Sequence, residues 1–393
     1  MHMTNNLVIL STWLLITPLS IALAIFTIET LLGLSAPKPF PIAGNVEKTV
    51  ILMPAHNEAL TIGNALEKLK PILSKDIRLL VVADNCSDRT SEIVESFGFE
   101  VIDRTDPNCR GKGYALAFGR DKLKKNPPDC VIIIDADCIT DEQSIRDLSR
   151  YCVKATRPVQ ARYTLNSSLY SSPMVQISNF AFWVKNVLRQ RGSQRLGGAA
   201  LLTGTGMAFP WQLFKDLPLA TSNIVEDLGL AVYLTGSGTA PIYLEQAFVT
   251  SIPASEGATL DQRARWEHGF IATAREFGID SLWKGASSLN WKHFLLGLHL
   301  MVPPVALLFG ITLLTLVYAA LAAFATGELI PLTVLLFAFC LAMLAIILAW
   351  IFGGHRWLEA STLLKLPVYL LWKLPIYLKL VRGITPGWNR TER

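Results

Sequence analysis

Charge is scarce in this chain and unevenly placed. Asp, Glu, Lys and Arg make up only 17% of 393 residues, and they crowd into roughly positions 45 to 290 while both ends are apolar. Three runs hold no Lys or Arg: Leu7 to Ile28, about Met301 to Phe324, and Pro331 to Ile351. Each is long enough to cross a bilayer, which takes about 20 apolar residues. The distribution predicts a soluble domain held between membrane segments.

Other absences narrow the field. The six cysteines include no CxxC pair and no accompanying His cluster, so neither a zinc site nor a disulfide framework is indicated, and reduced cytosolic thiols are expected. A dinucleotide-binding dehydrogenase needs G-x-G-x-x-G after its first strand. ILMPAHNEAL at 51–60 has no glycine. The leader MHMTNN lacks a positive charge and the run after it is too long for a signal-peptide core, which favours a retained span. The net charge of +5 comes from scattered cations with no stacking-aromatic motif, which speaks for membrane-surface and phosphate affinity and against nucleic acid. A transport path usually needs ionisable groups within the spans, and these offer little beyond His299 at an edge.

Orientation follows from the flanking cations, because Lys and Arg close to a span are retained in the cytoplasm. Lys38 and Lys48 follow the first run, the 325–330 loop has neither residue, and the tail carries Arg356, Lys365, Lys373, Lys379, Arg382, Arg390 and Arg393. The N-terminus is expected outside, the globular region and tail inside. The expected divisions are a membrane helix in 1–36, a soluble domain in 45–290, two membrane helices in 291–355, and a segment and basic tail in 356–393. Within that tail KLPVYLLWKLPIYLK, with Pro367 and Pro375, reads as an interfacial segment rather than a fourth span.

From residue 49 short β-branched runs alternate with helical patterns: TVILM, then a helix from about Ala59; IRLLVVA, then one from about Asp88; VIIID, then one from about Glu142. That alternation predicts an α/β fold with parallel strands and crossover helices. Ligands in such sheets bind beyond the carboxyl ends of the strands. There stand Pro54 to Glu58 after the first run, and Asp84 to Asp88 after the second. Ser87 or Asp88 serves as a helix N-cap, whereas Asp84 can accept hydrogen bonds from a base or ribose. Gly111, Lys112 and Gly113 open a helical pattern, where backbone N–H groups and a lysine suit an anion. Asp135 and Asp137 end the third run, and two carboxylates so placed suit Mg²⁺ or Mn²⁺ held together with substrate phosphates. Glu226 and Asp227 fall in the first turns of a helix that Thr221, Ser222 or Asn223 can cap, a place where acids also simply complement the helix dipole. Gln262, Arg263, Arg265, Trp266, Glu267, His268 and Gly269 close the set.

In that order PAHNE (54–58), DNCSDRT (84–90), GKG (111–113), DAD (135–137), GTG (204–206), ED (226–227) and QRARW (262–266) resemble the family 2 glycosyltransferases. The likeness is to their membrane-bound branch of cellulose, chitin-oligosaccharide, hyaluronan and poly-N-acetylglucosamine synthases. It covers roughly residues 49 to 290. It implies a GT-A, Rossmann-like nucleotide-sugar-binding domain inserted between transmembrane helices, and an inverting transfer. It further implies donor binding by Pro54, Glu58, Asp84, Lys112 and Asp135, with Asp137 and Asp135 holding Mg²⁺ or Mn²⁺. Asp227 would be the general base with Glu226 beside it, and Gly204, Gln262, Arg265 and Trp266 would hold diphosphate and acceptor. The expected partners are a nucleotide sugar, UDP-linked glucose or N-acetylglucosamine first, and a growing glycan of a cell-surface polysaccharide. The expected setting is the bacterial inner membrane with the catalytic domain cytoplasmic, and an oligomer or a separate export protein stays open. The large translocating synthases have more membrane helices, which leaves single addition onto a polyprenyl-phosphate-linked acceptor as the alternative. A non-enzymatic nucleotide-binding scaffold is the distant one.

Overall fold

The structure, a computed structural model, describes residues 2–166, 169–221, 225–251 and 256–383. Two of the three candidate caps, Ser222 and Asn223, and the tail cations Arg390 and Arg393 lie outside the described residues. The first helix, α1 (His2–Gly33), runs past the apolar stretch read from the sequence and takes in Glu29. Then β1 (Thr49–Ala55), α2 (Ile62–Leu69), β2 (Ile77–Asp84), α3 (Thr90–Ser96), β3 (Glu100–Arg104), α4 (Lys112–Leu123) and β4 (Cys130–Ile133) alternate. These four strands pair in parallel, β3 being one that the β-branched runs did not announce.

Beyond β4 the pattern changes. There follow β5 (Cys138–Ile139), α5 (Glu142–Ala155), β6 (Val159–Leu165), α6 (Pro173–Trp183), a π-helical turn over Val184–Leu188 and α7 (Arg189–Arg195). After them come β7 (Met207–Pro210), the single turn α8 (Trp211–Phe214), α9 (Glu226–Gly236) and β8 (Ile242–Ser251). The eight strands stand in the order β3-β2-β1-β4-β7-β6-β8-β5. β7 is antiparallel to both β4 and β6, so the sheet is mixed where the alternation predicted parallel strands. Hydrophobic pattern reports burial, not direction, and an antiparallel neighbour needs no crossover helix to mark it.

Successive residues of a strand face opposite sides of its sheet, and both sides are covered here. Ile51 and Met53 pack with Leu66 of α2 and Leu148 of α5; Val50 and Leu52 pack with Leu116 of α4 and Leu234 of α9. Strands buried on both faces explain the unbroken apolar runs. Helix α5 begins where Asp141 accepts the Ser144 N–H at 2.7 Å, an N-cap that spares one orphan donor.

The chain continues as α10 (Glu256–Ser287), α11 (Trp291–Leu300), α12 (Val305–Thr326), α13 (Ile330–Phe352), the turn α14 (Ala360–Leu363) and α15 (Leu366–Val381). Among the described residues three helices, α1, α12 and α13, are long and apolar enough to cross a membrane. Leu23 and Phe26 of α1, Trp183 and Val187 near the π turn, and Ala342 of α13 share one core, which joins these apolar helices to the sheet domain. Helices α1 and α7 meet backbone to backbone: a Cβ added at Gly192 would stand 1.9 Å from the Glu29 carbonyl oxygen.

Glu29 corrects the reading that these segments carry little ionisable besides His299. It is 3% exposed and accepts from Arg189 Nε at 2.7 Å and from His299 Nδ1 at 2.8 Å; His299 itself belongs to α11. Removing a carboxylate from water is tolerable only with such partners. The tail segment forms one helix, α15, with Pro375 inside it. Its 16 residues fall short of the roughly 20 a span requires. Glu267 of α10 holds it, accepting from Lys373 Nζ at 2.5 Å and Tyr377 Oη at 2.9 Å.

Candidate active site

The carboxyl ends of β1, β2 and β4 lie side by side, with Ala55 level with Ala83 and Leu52 with Ile133. The loops leaving β1 and β2 are tied to each other. Asn57, in the left-handed region at φ 55°, accepts the Ser87 N–H at 2.7 Å, and His56 Nδ1 donates to the Asp84 carbonyl at 2.7 Å. Glu58 donates its N–H to Thr90 Oγ1 at 2.9 Å. The cap position of α3 is Arg89 with no side-chain cap hydrogen bond, so neither Ser87 nor Asp88 is the cap; Asp88, one residue earlier, accepts the Thr90 N–H at 3.0 Å and the Ala59 N–H at 3.0 Å. Asp84 is 3% exposed and ion-paired with Arg104 of β3 at 2.6 Å. Sequence reading missed that partner because it missed the strand that carries it.

Helix α4 starts at Lys112 immediately after Gly111. Gly113 is required by a close approach, since a Cβ there would lie 2.3 Å from the Leu219 carbonyl oxygen. The Lys112 ammonium is held between the Asp135 carboxylate and the Gly204 carbonyl, the latter at 2.8 Å. Burial lowers its pKa, but Asp135 and Glu226 outweigh burial and leave it above the ordinary lysine value. The GTG loop is fastened to β4: Asp135 N–H donates to Thr205 Oγ1 at 3.2 Å and Gly206 N–H to the Ile133 carbonyl at 2.8 Å.

Asp135, Asp137 and Cys138 bring one ligand atom each within 4.8 Å of one another. Burial pushes the Cys138 thiol well above its usual range, so it remains protonated and donates to Asp137 Oδ1 at 3.1 Å. That leaves two hard carboxylates, a donor set that fits Mg²⁺ or Mn²⁺ and not a thiolate-preferring metal.

Glu226 and Asp227 occupy the first turn of α9, whose cap position is Val225 with no side-chain hydrogen bond; Thr221 is not the cap. Burial first, then Asp227, pushes Glu226 up to about 8. Burial raises Asp227 as well, against the pull of Lys112, the Leu228 N–H and Lys185. A helix dipole would favour both ions, so the shift is upward because desolvation exceeds it.

One cavity of about 310 Å³ gathers most of these groups. Lys112, Asp135, Gly204, Glu226, Asp227, Arg265 and Trp266 line it. Pro54, Glu58, Asp84, Asp137 and the buried Gln262 are not in its walls. Its other walls come partly from the 262–269 segment already singled out and partly from elements in which the sequence reading saw no site. Lys185 lies within the π turn, a distortion that recurs at functional sites, and Arg189 directly after it; α10 adds Arg263 and Glu267, and α15 adds Tyr369 and Lys373. Cations four residues apart in the apolar stretch FAFWVKNVLRQ were the available signal.

Residues 50–214 match the model of glycosyl transferase family 2. This segment is a glycosyltransferase family 2 domain. Its Rossmann-like sheet is flanked by helices able to span a membrane toward both ends of the chain. Two curated relatives agree over a shorter stretch. A probable glycosyltransferase, YdaM of Bacillus subtilis, is 33% identical over 104 residues, 25% of this chain and 24% of that protein. The low-salt glycan biosynthesis hexosyltransferase Agl6 of Haloferax volcanii is 33% identical over 101 residues, 25% and 23% respectively. The matched region is thus about a quarter of either relative. The mannosyltransferase PcManGT of Pyrobaculum calidifontis, solved with GDP-mannose and Mn²⁺, superposes with a TM-score of 0.56 at 16% identity over 93% of this chain and 99% of that one; the likeness is one of fold. The family 2 match ends before Glu226, Asp227 and the QRARW segment.

Proposed function

We propose that the chain is an inverting, metal-dependent hexosyltransferase that moves a sugar from a nucleoside diphosphate to an acceptor hydroxyl at the cytoplasmic side of a bacterial inner membrane. The observation that carries this reading is the meeting of the Lys112–Asp135 pair with the Glu226–Asp227 pair in one cavity. Asp227 takes the proton of the acceptor hydroxyl as its oxygen bonds to the anomeric carbon and the bond to the diphosphate oxygen breaks. Lys112 and Arg265 face the negative charge that grows on the departing diphosphate. Asp137 and Asp135 would hold a divalent ion, which neutralises that same charge when bound. Asp84, with Pro54 and Glu58, stands at the neighbouring strand ends, where a base and ribose would extend. Gly204 orders the Lys112 ammonium, and Gln262 and Trp266 support the acceptor side from α10.

The resemblance to polysaccharide synthases favours UDP-linked glucose or N-acetylglucosamine and a growing glycan; the fold neighbour was solved with GDP-mannose. A donor panel tests all of these: membranes holding the full chain receive each radiolabelled nucleotide sugar, and products are sized. One donor should be transferred, transfer should stop in excess EDTA, and Mg²⁺ or Mn²⁺ should restore it to wild type but not to Asp137→Ala. Undiminished transfer in EDTA would remove the metal from the mechanism.

A second reading, single addition onto a polyprenyl-phosphate-linked acceptor, is favoured by the cavity's wall at the start of α12, a helix able to cross the membrane.

A further inference from the structure

The cavity holds more positive charge than its own carboxylates answer. Lys112 is paired with Asp135, Arg189 with Glu29, and Lys373 with Glu267. Lys185 and Arg263 are different. Arg263 is 6% exposed; its Nε donates to Ser178 Oγ at 2.7 Å, and its guanidinium lies over the rings of Phe182 at 5.0 Å and Trp266 at 4.7 Å. Lys185 is half-buried, with its ammonium 5.3 Å from the Phe270 ring centre. Among the described residues neither cation forms an ion pair. Aromatic faces stabilise a cation without neutralising it, and buried Lys and Arg are rarely left unpaired. Two such charges in one cavity wall therefore call for an anion brought by a ligand.

Their position says which ligand. In an inverting displacement the base and the leaving group stand on opposite faces of the sugar. Lys185 lies in the field of Asp227, and Arg263 in turn bears on Lys185, whereas Lys112 and the paired aspartates occupy the donor end. The wall beyond is apolar and built from Val302, Pro303, Pro304, Val305 and Ala306, where α12 begins. We propose that Lys185 and Arg263 form a subsite for a phosphate carried by a lipid acceptor, so that the sugar is added to a phosphorylated membrane lipid or to a glycan linked to one. The proposal rests on the glycosyltransferase reading for its placement on the acceptor side. The anion subsite itself stands on the two cations.

The test uses the full chain in phosphatidylcholine nanodiscs and three probes: farnesyl phosphate, farnesol and inorganic phosphate. Binding is read from tryptophan fluorescence, to which Trp266 beside Arg263 contributes, and from thermal shift. Farnesyl phosphate should bind, farnesol and inorganic phosphate far more weakly. Lys185→Met or Arg263→Met should each weaken farnesyl phosphate at least about tenfold, the size expected for losing a charged partner, while Lys185→Arg keeps it. The dissociation constants of UDP and GDP with Mn²⁺ should stay within about twofold, because these cations lie off the donor site. Equal weakening of the nucleotides would assign the cations to the donor diphosphate and overturn the proposal, as would farnesol or inorganic phosphate binding as tightly as the phosphorylated lipid. A wild-type protein that binds farnesyl phosphate but neither nucleotide would refute the transferase reading and leave the subsite standing.

Discussion

In the proposed transfer, of the two adjacent carboxylates at the start of α9, Asp227 takes the acceptor's proton while Glu226, its pKa raised, holds one. Asp227→Asn keeps the shape and removes the base, so transfer should fall by about a hundredfold to ten-thousandfold with little change in the donor's dissociation constant. Near-normal turnover in a folded variant would return Asp227 to helix-dipole duty and move the base to Glu226. Glu226 permits a separate, catalysis-free test. Its pKa in the folded protein is pushed up to about 8 from an ordinary 4.5, so the folded state binds the extra proton between those values. Stability from this group is complete below the ordinary pKa and declines as pH rises toward 8. Glu226→Gln removes the decline. In EDTA and detergent, the melting temperature of the variant relative to wild type should rise from pH 5 to pH 8. A constant offset would show that the carboxyl is not buried as the structure has it.

At the scale of elements, the site depends on how the helix from α6 through the π turn to α7 is seated. Its cavity side presents Lys185 and Arg189, and its far side packs on α1, where Gly192 touches the Glu29 backbone. Gly192→Ala drives a methyl into a carbonyl that neither helix can withdraw without separating. Overpacking of this kind costs roughly 1–3 kcal/mol, and the separation would also pull Arg189 from Glu29. The melting temperature should drop and sugar transfer with it. Gly310→Ala on α12, where nothing lies within 4 Å, is the control and should match wild type. Equal behaviour of the two would mean that α1 and α7 are not in contact in the membrane.

For the whole molecule, the question is which side of the membrane the cavity faces. A reporter fused after Arg393 should be cytoplasmic and one inserted near Gly327 should be outside, because the 325–330 loop lacks Lys and Arg whereas the chain after the first span and the tail after the third carry them. The opposite pattern would cut the site off from a cytoplasmic supply of nucleotide sugar. The same scale shows how a chain with three candidate spans among the described residues walls its cavity next to one of them, α12. The wall is completed by α15, held down by Glu267 through Lys373 and Tyr377, so a segment too short to span closes the cavity.

What was legible without coordinates was whatever leaves a local trace. Strands β1, β2 and β4 are buried on both faces and so read as unbroken apolar runs; the spans read as long runs free of Lys and Arg; the strand-end carboxylates and the GKG turn stand directly after those runs. Strand β3 was not legible, since Glu100 and Asp103 interrupt its hydrophobicity at a sheet edge, and the antiparallel entry of β7 leaves no mark in periodicity. Only the tertiary structure decided which charges meet. Glu29 finds Arg189 and His299 across 160 and 270 residues, and Glu267 finds Lys373 across 106. Lys185 and Arg263, on different helices, come to face one cavity without an ion pair among the described residues. A sequence determines the type and local spacing of charges, but whether a buried charge is paired depends on distances set by packing. That is the physical reason Lys112, Asp135, Asp227, Arg265 and Trp266 could be read from motifs while Lys185, Tyr369 and Lys373, which line the same cavity, could not.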